Sequence, residues 1–383
     1  MFSGATLCMS FGTKVNNSIR ALEPVLANKG EVQFIVGTST FNQPNQIILV
    51  EINDDTSQVL TRNVFGHPGE VLSLAPSPQD SHLLVTCGKK PNHPTEAFLW
   101  HTETGTSTIE ESGEVITAAA AKDLTLVAAF PDVKQRVSEC TWNETTATSM
   151  LASSHETVLR SWQLDRGSVE AQDKLELDVS TLEDTTKRGA KSLIWDPHHA
   201  SRLSFAFGGT LRTWDLRAKH DSISVVDAHL STILSLDFNP NKPHAVATGG
   251  DDGKIKFWDL RHACNPLLTL NAHSHWVCST RFHPQHDQLV LSGSSDATSA
   301  LWRVSSISSS PLVELDERDL LDKSAVGAAV ADTLIRRVQD HEDTVYAARW
   351  AAGGDSWMFA SVSCDGRLAI NYVPSTEKYK ILL

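Results

Sequence analysis

AHLSTILSLDFNP at residues 228–240 and AHSHWVCSTRFHP at 272–284 are one pattern repeated at an interval of 44 residues. Each copy is followed by an apolar run ending in small residues, VATGG at 246–250 and VLSGS at 290–294. An Asp comes next, Asp252 or Asp296, six residues ahead of a Trp, Trp258 or Trp302, and His229 and His273 each stand 29 residues before that Trp. ILSLDF and VCSTRF alternate as half-buried strands, AVAT and LVLS are short buried strands, KIKFW and TSALW are third strands, and LLTL at 267–270 is a fourth. Small and polar residues separate them, which predicts a four-stranded antiparallel meander in each repeat.

A tandem period of this length, with His near its start and Trp near its end, is the sequence pattern of a propeller blade. Within each blade the spacing brings His229 to Thr248, Asp252 and Trp258, and His273 to Ser292, Asp296 and Trp302. These sets resemble the Asp-His-Ser/Thr-Trp network of WD-repeat proteins, in which buried polar groups satisfy one another and stiffen the blade. His, Ser and Asp also suggest a hydrolase triad, but the set recurs with a Trp attached and lacks a strand-turn-helix nucleophile elbow.

Outward from this pair, weaker copies fill the chain. GHPGEVLSLAPSP at 66–78, LLVTC at 83–87 and AFLW at 97–100 form a second blade, in which His67, Thr86 and Trp100 supply a partial network without its Asp. VQFIVGT at 32–38 and QIILVEI at 46–52 precede it as a first blade with neither His nor Trp. VSECTW, MLASS and TVLRSW between 137 and 162 make a third; KSLIWDP, LSFAF and TLRTWDLR between 191 and 217 make a fourth. DHEDTVYAARW at 340–350, MFASVS at 358–363 and DGRLAIN at 365–371 form a seventh, with Asn371 in the Trp position. The expected fold is all-β: a seven-bladed WD-repeat β-propeller, a single closed ring over residues 1–383. Two surface insertions are expected at about 101–123 and 303–333. Thr6 to Phe11 is expected to complete the last blade. The terminal KYKILL, which follows Pro374, is expected to pack on the ring as an outer strand or latch through Ile381, Leu382 and Leu383.

Composition narrows the function. The formal charge of −13 disfavours a phosphate-binding surface and hence nucleic acid as a partner, and favours neutral or basic proteins. No run reaches the length of a membrane span, so direct membrane insertion is not expected, and the N-terminus lacks the features of a signal peptide. Six cysteines at 8, 87, 140, 264, 278 and 364 contain no CxxC pair, which predicts reduced, buried thiols. No Gly-rich phosphate loop and no acid/base pair is present, so neither enzyme activity nor a cofactor is expected. His273, His275 and His283 are dense enough to suggest a metal, but His273 belongs to the blade and strand alternation separates the others, so no metal site is expected either.

The ending HEDTVYAARW, FASVSCDGRLAIN and KYKILL, with DFNPNKPHAVATGGDDGKIKFWD and AHSHWVCSTRFHPQHDQLVLSGSSD, resembles the EARP-and-GARP-complex-interacting protein family. The likeness begins near SIRALEP at 18–24 and is strongest from Trp195 onward. It implies a non-enzymatic scaffold that binds multisubunit tethering complexes in endosomal recycling and endosome-to-Golgi retrograde transport. It also implies a cytoplasmic protein, peripheral at the trans-Golgi network and endosomes. WDLR, at 214–217 and 258–261, is similar to the WDxR box of substrate receptors of cullin-type ubiquitin ligases, which makes Arg217 and Arg261 candidate adaptor-binding residues. A closed ring leaves a monomer as the expected state.

One Trp stands out as a binding residue. Of ten, eight close first or third strands and only Trp276 and Trp357 have no packing role assigned. The position three after each His holds Glu70, Thr232, Trp276 and Thr344, and the next position is always aliphatic. Trp276 is therefore placed at the start of an inner strand on an exposed face, and exposed Trp residues concentrate interface energy. Trp276 with His275, joined by Asp343, Glu70 and Thr232, is the expected protein-interaction surface.

Overall fold

The computed structural model describes residues 7–10, 18–28, 30–41, 44–53, 58–90, 93, 95–102, 122–130, 137–145, 149–155, 158–164, 172–178, 190–218, 220–311, 313–314, 328–329, 331–353 and 357–382. Within the two complete repeats the strands form as the alternation predicts. Blade 5 is Ile233–Phe238, Ala245–Gly250, Lys254–Asp259 and Leu268–Asn271; blade 6 is Val277–Phe282, Leu289–Ser294, Ser299–Arg303 and Thr333–Val338. Each is an antiparallel sheet in sequence order.

Blades 1 to 4 follow the same plan. Blade 1 consists of Ile19–Pro24, Val32–Thr38, Asn45–Asn53 and Gln58–His67; blade 2 of Glu70–Pro76, Leu83–Lys89, Thr95–His101 and Thr125–Phe130. Blade 3 consists of Val137–Trp142, Ser149–His155, Val158–Leu164 and Gln172–Asp178; blade 4 of Ser192–Trp195, Arg202–Phe207, Thr210–Asp215 and His220–Val225. Ile19–Pro24, read from sequence only as part of a family likeness, is the innermost strand of blade 1, with Ile19 and Leu22 buried.

The expected seven-bladed ring of like repeats is corrected by the path of the chain. Among the described residues six blades are each built from one run of sequence, and no seventh repeat is complete in itself. The remaining sheet is composite: Val345–Trp350, Met358–Ser363 and Arg367–Tyr372 come from the C-terminal end, and Leu7–Ser10 from the N-terminal end supplies its outer edge. The cause lies at Pro374, which has no N–H to give to a ladder. The chain turns there into a helix, Ser375–Leu382, instead of a fourth strand, with Glu377 in its first turn and Lys380 in its last, the arrangement that suits the helix dipole. KYKILL is thus a helical latch rather than a strand. Ile381 packs on a cluster containing Leu289, Trp350 and Phe359, while Leu382 is exposed and Leu383 lies outside the described residues.

Neighbouring blades are stitched through the inner strands. Trp142 donates its indole N–H to the Ala75 carbonyl at 2.7 Å, Trp195 to Thr141 at 3.2 Å, and Trp350 to Arg281 at 3.2 Å. The tryptophans that end first strands therefore bond to the preceding blade as well as filling core. The composite sheet reaches blade 1 through Arg349, whose Nε and Nη2 donate to Glu23 Oε1 at 2.8 and 2.6 Å.

Of the two expected insertions, residues 103–121 lie outside the described residues, as do most of 312–327. The described part of the second includes a short pairing of Val313–Glu314 with Ala328–Ala329. The expected burial of the cysteines holds for Cys87 and Cys140, whereas Cys8 and Cys264 are exposed.

Candidate functional site

The polar networks form inside the blades. His229 lies with Nδ1 3.0 Å from the Asp252 carboxylate and Nε2 2.8 Å from the Thr248 hydroxyl, which accepts the Trp258 indole N–H at 3.0 Å. His273 makes the same set with Asp296 at 3.0 Å and Ser292 at 2.8 Å, and Trp302 donates to Ser292 at 3.0 Å. Burial works to raise both carboxyls, but hydrogen bonds and charge from the paired His hold Asp252 and Asp296 below the usual carboxylate range. His67, Thr86 and Trp100 form the partial version, with the Gly69 carbonyl 2.7 Å from Nδ1 in the place of an Asp. Blade 4 has no His ahead of its inner strand to build the network, and the Trp214 indole N–H has no partner. The groups of the three His networks are structural, since they are spent on one another.

The antiparallel order places the starts of all inner strands on one face of the ring, the upper face, and the ends of the third strands on the other. Trp276 is 52% exposed on the upper face. His275 packs beside it with ring centroids 5.1 Å apart and bonds through Nδ1 to the Ser295 hydroxyl, while the Trp276 carbonyl accepts the Ser295 N–H at 3.0 Å. Trp276 is thus held in place by backbone yet open to solvent. Asp343 is exposed on the composite sheet and caps the Thr344 N–H at 2.6 Å. Glu70 is half-buried, accepting from the Ser39 hydroxyl at 3.3 Å.

Thr232 departs from the expected surface, because it is only 3% exposed. Its N–H donates to Asp251 at 3.1 Å and its carbonyl accepts the Asp251 N–H at 3.0 Å, which turns it inward. The large apolar side chain exposed two residues before it is Leu230, a residue that sequence reasoning missed. The position directly after the His holds Pro68, Leu230, Ser274 and Glu342, so a large apolar side chain at a solvent position was the available signal. Of the two unassigned tryptophans, Trp357 is buried and stacks on His286 at 4.5 Å.

Arg217 and Arg261 lie on the lower face, both exposed. Arg261 grips its own Asp259 with Nε at 3.0 Å and Nη2 at 2.7 Å, and this pairing lowers the Asp259 carboxyl to about 2. The candidate metal histidines do not converge. His273 is in its blade network, His275 bonds Ser295, and buried His283 accepts the N–H groups of Gln285 and His286 at 3.1 and 3.0 Å. Among the described residues no cluster of metal-ligating side chains is present.

The lower half of the central channel is a cavity of about 650 Å³ walled by Glu23, Glu139, Asp237, Arg281 and Arg349. Its carboxylates tie blades together: Glu139 accepts the Leu193 N–H at 2.8 Å and Asp237 the Phe282 N–H at 2.6 Å. Burial pushes Glu139 up to about 7 and Asp237 up to about 6. A raised carboxyl keeps its proton in the folded state, so it removes stability as pH climbs from the ordinary value near 4.5 through about 7. Glu139→Gln keeps the acceptor and deletes the charge. Its stability relative to the parent should improve by about 1 kcal/mol more at pH 8 than at pH 5, after allowance for channel water. Urea midpoints at the two pH values measure this, and an equal difference at both would contradict it.

Comparison of the sequence with known proteins points to one family. The family model described as the EIPR1 beta-propeller matches residues 6–302. "EARP and GARP complex-interacting protein 1" of Rattus norvegicus is 35% identical over 376 residues, covering 95% of this chain and 96% of the relative. The protein of that name in Homo sapiens is 34% identical over 377 residues with the same coverage. "EARP-interacting protein 1" of Caenorhabditis elegans is 30% identical over 382 residues, covering 98% and 99%. The family model spans well over half of the chain and these relatives cover 95% of it or more at 30–35% identity, so this chain belongs to the EIPR1 β-propeller family.

Proposed function

We propose that this protein is a non-enzymatic propeller adaptor that binds EARP- and GARP-type tethering complexes through its upper face. On this reading it acts in endosomal recycling and endosome-to-Golgi retrograde transport, as a monomer held peripherally at endosomes and the trans-Golgi network by its partners. Relatives whose names state interaction with these complexes, matched end to end, support the partner class. Among the described residues no helix is long and apolar enough to cross a membrane, which fits recruitment by protein contact.

The observation that carries the choice of face is Trp276, the indole left exposed when the other tryptophans described here are built into core or blade junctions. Trp276, His275 and Asp343 form the core of the proposed surface, with Glu70 further round the ring. Affinity purification of the tagged chain from cells should recover subunits of both complexes. Trp276→Ala should leave the thermal melt within about 1 °C and weaken capture at least tenfold, about 1.4 kcal/mol. A variant that binds like the parent removes Trp276 from the interface.

A further inference from the structure

Leu230 is 90% exposed, the most exposed large apolar side chain among the described residues, and it stands on the same face as Trp276. Its exposure is not that of a slack loop. Ser231 Oγ donates to Asp251 at 2.6 Å, the His229 N–H to the Gly209 carbonyl at 3.2 Å, the Ile233 N–H to the Gly208 carbonyl at 2.8 Å, and Lys256 Nζ to the Ala228 carbonyl at 2.7 Å. A Cβ at position 209 would sit 2.4 Å from the His229 carbonyl oxygen, so only glycine lets the neighbouring turn brace this loop. The turn at 251–253 then abuts the Trp276 loop, because a Cβ on Gly253 would lie 2.5 Å from the His273 carbonyl oxygen. Leu230 and Trp276 are consequently two apolar anchors on one pre-organised surface, with exposed Val226 four residues ahead of the first in the chain.

The charges of this sector are asymmetric. Asp227, Glu342 and Asp343 are exposed and Asp251 is half-buried. The cations of blades 5 and 6 and the composite sheet here are mostly turned inward or paired: Lys256 on the Ala228 carbonyl, Arg337 on Thr298 and the Ala272 carbonyl, Arg367 on Glu342 at 2.6 Å, leaving half-buried Lys254, with exposed Lys191 at the start of the blade 4 inner strand. An anionic lipid surface or a nucleic acid would meet like charge here. Asp227 also holds φ at +53°, in the left-handed region that Asp tolerates better than most residues.

Resting on the reading of the upper face as the partner surface, we infer that its occupant is a basic amphipathic protein segment. Its apolar side chains seat against Leu230 and Trp276, and flanking lysines or arginines meet Asp227 and Asp343. Complementary charge of this kind sets orientation and on-rate, while the anchors set affinity.

Purified chain is titrated with EARP and GARP complexes isolated from cells, and separately with a synthetic leucine-lysine amphipathic peptide. The parent should bind both, Leu230→Asp should weaken both at least tenfold, and Asp227→Lys/Asp343→Lys should weaken both at 50 mM salt with the difference shrinking at 500 mM. Leu230→Ser serves in place of Leu230→Asp if the latter melts early. Complexes bound equally by parent and variants would overturn the inference while leaving the proposed function intact. Complexes not bound at all would overturn the proposed function, and the peptide arm then decides whether the surface takes basic segments. Binding of phosphatidylserine vesicles in preference to the peptide would also overturn it.

Discussion

Trp302→Ala should destabilise the protein by about 3–5 kcal/mol, because it combines a large cavity with the loss of a buried donor. The indole is 6% exposed and packs among Phe257, Phe282 and Val290 at the junction of blades 5 and 6. Its N–H satisfies Ser292, which in turn meets His273. Trp302→Phe keeps much of the volume and removes only the donor, so it should cost about 1–2 kcal/mol. Chemical denaturation of the two variants separates the contributions. Equal losses would assign the whole effect to the hydrogen bond, and no loss would remove the indole from the core.

Glu377→Ala is the second large effect, at about 2–4 kcal/mol. Arg303, at the end of a third strand, is buried and donates through Nη1 to Glu377 Oε2 at 2.7 Å; Lys378 Nζ lies 5.3 Å from the Trp357 ring centroid. Deleting the carboxylate leaves a buried guanidinium supported by the Ala331 carbonyl at 3.2 Å. Removing both charges with Arg303→Met/Glu377→Met should restore most of the loss, since the unpaired charge and not the absent bond is the main penalty. A double variant no more stable than Glu377→Ala would show that the cost is the lost pair itself and not the unpaired charge.

Blades 5 and 6 were legible because their networks require His, hydroxyl, Asp and Trp at fixed spacing, and such a set leaves a readable period. The first blade gave a weaker signal. IRALEP has no His ahead of it, and Gln58–His67 forms an outer strand whose burial is mixed, so its periodicity is blurred. The outer strands Gln172–Asp178 and His220–Val225 were missed for a related reason: QDKLELD and HDSISV are rich in polar residues, as edge strands are. The helix at Ser375–Leu382 was misread because KYKILL is apolar enough for a strand, and only its position after Pro374 argued otherwise. At the site, the rule that a polar position is an exposed one placed Trp276 correctly and Thr232 wrongly. The difference is Asp251, whose hydrogen bonds draw Thr232 inward and leave Leu230 outside. Closure by Leu7–Ser10, and with it the joining of both ends of the chain in the last sheet, was foreseen from the need to close a ring, whereas the helix in place of a C-terminal fourth strand follows from Pro374.

Hydrogen exchange of the purified chain, with and without bound tethering complex, tests the central claim most directly, since it reports which face the partner covers. Added protection should concentrate in peptides spanning 226–232 and 273–276 on the upper face, with none at 214–217 and 258–261. Protection confined to the lower face around Arg217 and Arg261, with the Leu230 and Trp276 loops unchanged, would contradict the account.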